Sequence, residues 1–259
     1  IYTTTDTLSL HDALPIPGGW RCTCGRMSVY TPRPYGWVLE VGRVEYERAL
    51  AWQRGLVKMR REGMARDTIM FVEHPAVCTV GRDGHEEHYR NISSAPVFVE
   101  RGGDVTWHGP GQLVVYFIFN LARRGRDLHA FMTAIQQGIV DALAEWEIAA
   151  RLGEEYTGVW VGPKKIASIG VAVKKWITFH GAAINLNTDL REFAQMEPCG
   201  LSADLMTSAA EQLGRPVDMQ AFAQALLRGY AERFHTQFDP VALEAIAEDL
   251  ESQSGGYTI

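Results

Sequence analysis

The chain has 259 residues, 46% apolar and 22% charged, and its 25 basic and 31 acidic side chains give a formal net charge of −6. No apolar run approaches the ~20 residues of a membrane helix, four cysteines cannot build a disulfide scaffold, and the acidic balance is opposite to that of a nucleic-acid binder. These features exclude membrane-spanning, collagen-like and broadly DNA-binding classes and lead us to expect a cytoplasmic protein in a reducing compartment.

Residues 1–26 differ from the rest of the chain. They are rich in Thr, Gly and Pro without sustained periodicity, and the first methionine is Met27. The string TDTLSLHDALPI resembles translated sequencing-adapter DNA. The expectation is therefore a non-native or misannotated leader over 1–26, with Cys22 and Cys24 given no role because two thiols alone make no zinc site.

From Met27 onward helical and strand patterns mix. Val44 to Arg61 has the spacing of an amphipathic helix. Thr68 to Glu73 and Ala76 to Val80 read as strands about a His74-Pro75 turn. Val97 to Glu100 and Leu113 to Phe119 are also strand-like. The second is apolar on both faces, as in a central strand covered on each side. Asp127 is expected to cap a helix that buries Leu128, Phe131, Ile135, Ile139, Leu143 and Trp146. Further strands are expected at Gly158 to Val161, Ile166 to Val173 and Thr178 to Leu186. Ser208 with Glu211 fits a capping box. Asp218 opens a helix carrying Phe222, Leu226, Tyr230 and Phe234. Asp239-Pro240 reads as the N-cap and first-turn proline of a last helix with Leu243, Ile246 and Leu250. The expected architecture is α+β (mixed α/β): one domain over 27–252, a mixed β-sheet packed against helices, with a helical C-terminal part and a frayed tail at 253–259.

Chemistry concentrates in three segments and one cysteine. The first runs Arg101, Gly102, Gly103, Asp104, Val105, Thr106, Trp107, His108 and on through Gly109-Pro110-Gly111 to Gln112. Its glycines let backbone approach a ligand closely, but it is no phosphate-binding loop, since no Lys-Ser/Thr follows. By itself it reads as a tight turn with a buried histidine. The second is Lys164-Lys165-Ile166-Ala167-Ser168-Ile169-Gly170. A lysine carried into an apolar strand is a candidate base, because lost hydration favours the uncharged amine; the bland alternative is a solvated strand end. The third, His180-Gly181-Ala182-Ala183-Ile184-Asn185, ends a strand. Cys199 lies between Pro198 and Gly200, in a turn rather than a core strand. An ordinary thiol with a pKa near 8.5 is only about 3% thiolate at pH 7, so nucleophilic use needs a neighbouring base or cation. Cys78, in VCTV, is core-like by comparison. His85 and His88 lack a third ligand for a metal, and Arg123-Arg124-Gly125-Arg126 reads as a solvated basic loop.

Taken together, RGGDVTWHGPGQ, KIASIG, HGAAIN and PCG, in that order, closely resemble the lipoyl(octanoyl) transferase family of the lipoate–protein ligase B type. The resemblance covers about Gly36 to Gln212. It implies a fold like the catalytic domains of biotin and lipoate protein ligases. It also implies transfer of an octanoyl group from acyl carrier protein to a lysine of lipoyl domains, in 2-oxo acid dehydrogenase E2 subunits and the glycine-cleavage H protein. Carried over residue by residue, it makes Cys199 the acyl-thioester nucleophile and Lys165 its partner base. Arg101 to His108, Ser168 to Gly170 and His180 to Ala182 become the acyl-pocket segments. No metal or cofactor is expected, and a monomer is. Ala182 stands where the family more often has a bulky residue, and Trp107 where Tyr or Phe is common.

The alternatives are an ATP-dependent lipoate or biotin ligase of the same fold, a non-catalytic module binding acyl carrier protein or a lipoyl domain, and an unrelated Cys-Lys hydrolase. Docking of acidic partners is expected to use Arg123, Arg124, Arg126, Lys174 and Lys175.

Overall fold

The computed structural model describes residues 33–92, 95–154, 156–196 and 201–254. In chain order these form β1 (Tyr35–Arg43), α1 (Tyr46–Glu62), β2 (Thr68–Glu73), β3 (Val77–Val80), a single-turn α2 (Glu86–Tyr89), β4 (Val97–Phe98), β5 (Val105–His108), β6 (Gln112–Ile118) and α3 (Leu128–Glu145). There follow β7 (Arg151–Leu152), β8 (Val159–Val161), β9 (Lys164–Lys174), β10 (Ile177–Asn185), α4 (Ala209–Leu213), α5 (Met219–Arg233), β11 (Gln237–Pro240) and α6 (Ala247–Ser254). The leader expectation for 1–26 and the PCG turn lie outside the described residues, as does most of the tail.

An eight-stranded mixed sheet of order β11-β1-β2-β6-β10-β9-β8-β7 forms the centre, and β4-β3-β5 make a second, smaller sheet. The central strand β6 is buried throughout, as its two-sided apolar sequence requires. Its side chains alternate: Leu113, Val115 and Phe117 enter the core beneath α3 and α5, whereas Val114, Tyr116 and Ile118 enter the core beneath α1 and α6. Each fully buried phenylalanine here, Phe117 for one, contributes about 1.5–3 kcal/mol of hydrophobic free energy.

The helix signals act as the sequence implies. The Asp127 carboxylate accepts from the Ala130 N–H at 2.9 Å, Asp218 caps Gln220 and Ala221, and the Ser208 hydroxyl accepts from Glu211 N–H. In α3 the stripe Phe131, Ile135, Ile139 and Leu143 is buried, and α5 answers with Phe222, Leu226 and Tyr230.

Two expectations are corrected. Asp239-Pro240 does not start a helix. It ends β11, which pairs in parallel with β1, Val38 opposite Pro240. A proline is tolerated there because β11 is an edge strand whose outer N–H needs no partner. The last helix begins only at Ala247, after a 3-10 turn at Leu243–Ala245. The strand β1 itself and the small sheet were not expected, because their partners come from distant sequence.

Arg124, one of the expected docking residues, is engaged within the fold. It donates to Asp67, to the Phe234 carbonyl at 2.9 Å and to Thr236 Oγ1 at 2.8 Å, while Asp67 also accepts from Arg60 at 2.7 Å. This half-buried network ties the end of α1 to α5 and β11, and such a carboxylate between two arginines is stable only with both in place.

Candidate active site

The glycine-rich segment becomes β5 and the tight turn into β6. Alternation along β5 divides its residues. Thr106 and His108 line a pocket, whereas Val105 and Trp107 pack away from it against Phe193, Met196 and Met206, Trp107 edge-on to Phe193 at 5.7 Å. Asp104 also turns away, accepting from the Val105 and His85 backbone N–H groups and pairing with His88. That pairing occupies the His88 ring; no cluster of three or more potential metal ligands occurs among the described residues.

The Arg101 side chain is buried and donates to Thr79 O and Oγ1 at 2.8 and 2.9 Å. The Gly102 N–H donates to Val171 O at 3.2 Å, laying this loop on β9. Register then assembles the rest. Gly170 of β9 pairs with Gly181 of β10, Ile169 with Ala182, and Gly181 with Tyr116 of β6. A Cβ on Gly181 would meet the Val115 carbonyl oxygen at 2.1 Å, so only glycine permits this approach of β10 to β6.

The resulting pocket has about 450 Å³ of empty space, counted to its mouth. Arg101, Gly102, Gly103, Thr106, His108, Ser168, Ile169, Gly170, His180, Gly181 and Ala182 line it. Asp104, Val105 and Trp107, expected in the same set, support its wall from behind. Tyr46, Val114, Tyr116 and Ala183 complete the lining and were missed by sequence reading. Tyr46 lies on α1, far from any motif, and Tyr116 reads as one more apolar residue of LVVYFIF.

Apart from the Arg101 guanidinium, whose donors are turned onto Thr79, the titratable side chains at the pocket are held toward their neutral forms. Burial pushes His108 down to about 3 and lowers His180 and His74 as well. Burial also raises the phenols of Tyr46 and Tyr116. His108 Nδ1 lies 2.8 Å from Gln112 Oε1, and His74 Nε2 lies 2.7 Å from Tyr116 Oη. His180 holds a left-handed φ of 59° within β10, with its backbone N–H on Gln53 Oε1 at 2.8 Å. Its Nε2 faces Glu100, 3.6 Å away. Glu100 is held at about 2, first by that ring and also by Arg54, which donates to it at 2.6 Å. An apolar chain fits such a lining, because neutral groups, and an arginine already bonded to Thr79, cost little to leave without water.

Lys165 is the second residue of β9 and is 2% exposed. Its Nζ stands 5.9 Å from the centre of the Trp160 ring, with no hydrogen-bonding or ion-paired partner among the described residues. Its carbonyl accepts from Thr207 N–H at 3.0 Å, which fixes it beside the Met206-Thr207-Ser208 segment. Lys164 points elsewhere, half-exposed and 3.1 Å from Glu211. The solvated strand end thus describes Lys164 only. Cys199 lies outside the described residues; its described flanks, Met196 and Leu201, are buried.

The profile of the lipoyl protein ligase A/B catalytic domain matches residues 45–231. The chain belongs to the lipoyl protein ligase A/B catalytic-domain family. Within it, the chain is 42% identical to an octanoyltransferase of Geobacter metallireducens over 182 residues, 70% of this chain and 85% of that one. It is 39% identical to an octanoyltransferase of Solibacter usitatus over 218 residues, 80% and 97% of the two chains. Among solved structures of the family fold it resembles lipoate-protein ligase A bound with ATP, with a TM-score of 0.71 and 19% identity over 85% of this chain and 92% of that one. A putative lipoate protein ligase from T. acidophilum with bound lipoic acid gives a TM-score of 0.69 at 20% identity, covering 85% and 93%. At these identities the likeness to the ligases is one of fold, which the expected mixed sheet and helices share. None of the described helices is long and apolar enough to cross a membrane.

Proposed function

We propose that this protein is an octanoyltransferase: it moves an octanoyl group from octanoyl-acyl carrier protein to a lysine of lipoyl domains through a Cys199 thioester. The reading is carried by one observation. Three motifs far apart in sequence line a single pocket in which burial favours the neutral histidines and tyrosines and Arg101 is turned onto Thr79, in a chain 39–42% identical to relatives named octanoyltransferase. Such a pocket suits an unbranched apolar acyl chain.

In the first half-reaction the Lys165 amine takes the Cys199 thiol proton. The thiolate attacks the donor thioester carbonyl, the carbonyl–sulfur bond to the carrier breaks, and the carrier thiolate takes the proton back from the Lys165 ammonium. In the second, the acceptor lysine amine attacks the Cys199 thioester carbonyl and passes its proton to Lys165, the carbonyl–sulfur bond to Cys199 breaks as the amide forms, and the Lys165 ammonium returns the proton to the Cys199 thiolate. A thioester becomes an amide, which is downhill, so no ATP is consumed. The acceptors in this reading are E2 subunits of 2-oxo acid dehydrogenases and the glycine-cleavage H protein, and the enzyme acts as a cytoplasmic monomer.

The test is transfer to a purified lipoyl domain. Octanoyl-acyl carrier protein without ATP is expected to octanoylate the domain, and free octanoate with ATP is not. The reverse result would establish an ATP-dependent ligase, and octanoate release without transfer a hydrolase.

A further inference from the structure

The acyl pocket reaches along β9 to Ser168, three residues and about 10 Å from Lys165. A donor thioester has a second end, which must leave the reacting carbon by another opening. A second cavity adjoins Lys165 through Trp160. It has about 630 Å³ of empty space and is walled by Arg151, Tyr156, Trp160, Leu201 and Leu205, with the exposed Glu154 beside them.

Strand register gives this cavity its direction. Arg151 of β7 is paired with Trp160 of β8, and Trp160 with Lys165 of β9. Cross-strand partners project from one face, so arginine, tryptophan and lysine form a row, with Lys165 at the reacting end. Two strand spacings separate the ends of the row, about 10 Å. Trp160 is buried and its indole N–H donates to Tyr156 O at 3.3 Å, which fixes the wall. The exposed Arg151 donates to Leu152 O and Gly162 O at 3.2 and 3.3 Å, which orients the guanidinium and uses two of its five N–H groups.

We infer that this groove takes the pantetheine arm of the donor thioester, its amide chain against Trp160, Leu201 and Leu205 and its phosphate at Arg151. The inference rests on the proposed carrier-thioester donor. The arm spans roughly four peptide-length units, about 14 Å, longer than the two strand spacings of about 10 Å between Lys165 and Arg151, and the arginine side chain covers the difference. A guanidinium is also the side chain best shaped for a phosphate. The carboxylate of Glu154 works against the phosphate, so removing its charge strengthens binding.

The experiment compares two small donors, octanoyl-phosphopantetheine and octanoyl-pantetheine, with the wild type, Arg151→Glu and Glu154→Gln. Arg151→Glu is expected to raise KM for the phosphorylated donor about tenfold, with KM for the unphosphorylated donor and both kcat values within twofold of wild type. Glu154→Gln lowers KM for the phosphorylated donor only. Equal changes with both donors, or no change with either, overturn the arm assignment while the transferase reading stands. A wild type that transfers from neither small donor nor octanoyl-acyl carrier protein overturns the thioester-donor reading and the groove assignment with it.

Discussion

Gly158 and Lys165 occupy one space: a Cβ on Gly158 would lie 2.6 Å from Lys165 Cε and 3.4 Å from its Nζ. Gly158 has φ +148°, and its N–H donates to Gln136 Oε1 at 3.1 Å, so the strand entry is held where the lysine needs room. Gly158→Ala must strain the backbone, by about 1–3 kcal/mol, crowd the Ala167 carbonyl oxygen 2.6 Å away and displace the end of the Lys165 side chain. The expected result is a fall in kcat of tenfold or more with KM for donor little changed, measured beside a Tm that shows the variant still folds.

The two adjacent lysines separate cleanly in consequence. Lys164→Ala removes an exposed pair with Glu211, which contributes about 0–1 kcal/mol, and transfer should stay within twofold of wild type. Lys165→Ala removes the proposed base and should lower kcat by about 10²–10⁴. Steady-state rates of the two variants decide it, and equal losses would refute the assignment of the base to Lys165.

His108 gives a dependence of stability on acid. Its folded pKa is depressed to about 3 by burial, against about 6.5 when unfolded. Between those values the unfolded chain binds the proton and the folded chain does not. Stability contributed by neutral His108 is thus fully present above pH 6.5 and is lost as pH falls toward 3. Denaturant titrations at pH 7, 6, 5 and 4 should show ΔG falling with acid, and His108→Gln should remove close to one proton from that slope.

Arg124 ties the frame together. Arg124→Ala leaves Asp67 short of a partner and strips donors from Phe234 O and Thr236. The expected cost is about 2–3 kcal/mol of unfolding free energy, with KM for octanoyl-acyl carrier protein unchanged. Chemical denaturation and kinetics on the same preparation test both halves.

The sequence carried much of this architecture because local chemistry decided it. Thr68 to Glu73 is the strand expected from its apolar run, and Asp127 and Asp218 cap the helices their positions imply. The glycine motifs marked most of the pocket lining for the same reason, since close backbone approach demands glycine wherever it occurs. What stayed hidden depends on pairing between distant segments. Asp239-Pro240 carries a good helix-start signal, yet its backbone satisfies β1, some 200 residues earlier. Tyr46, Tyr116 and the Arg54–Glu100–His180 chain meet only once α1, β6 and β10 are packed. In the KKIASIG segment, burial distinguishes the two lysines in a way that their shared neighbourhood in sequence does not.

The central claim is a covalent acyl-enzyme on Cys199. The most direct measurement is the intact mass of the enzyme after incubation with octanoyl-acyl carrier protein, without ATP or acceptor, for wild type and Cys199→Ser. The account predicts one octanoyl adduct on wild type, removed by hydroxylamine, discharged on adding a lipoyl domain and absent from Cys199→Ser. A folded wild type that transfers octanoate yet never carries the adduct, or an adduct that persists in Cys199→Ser, would contradict it.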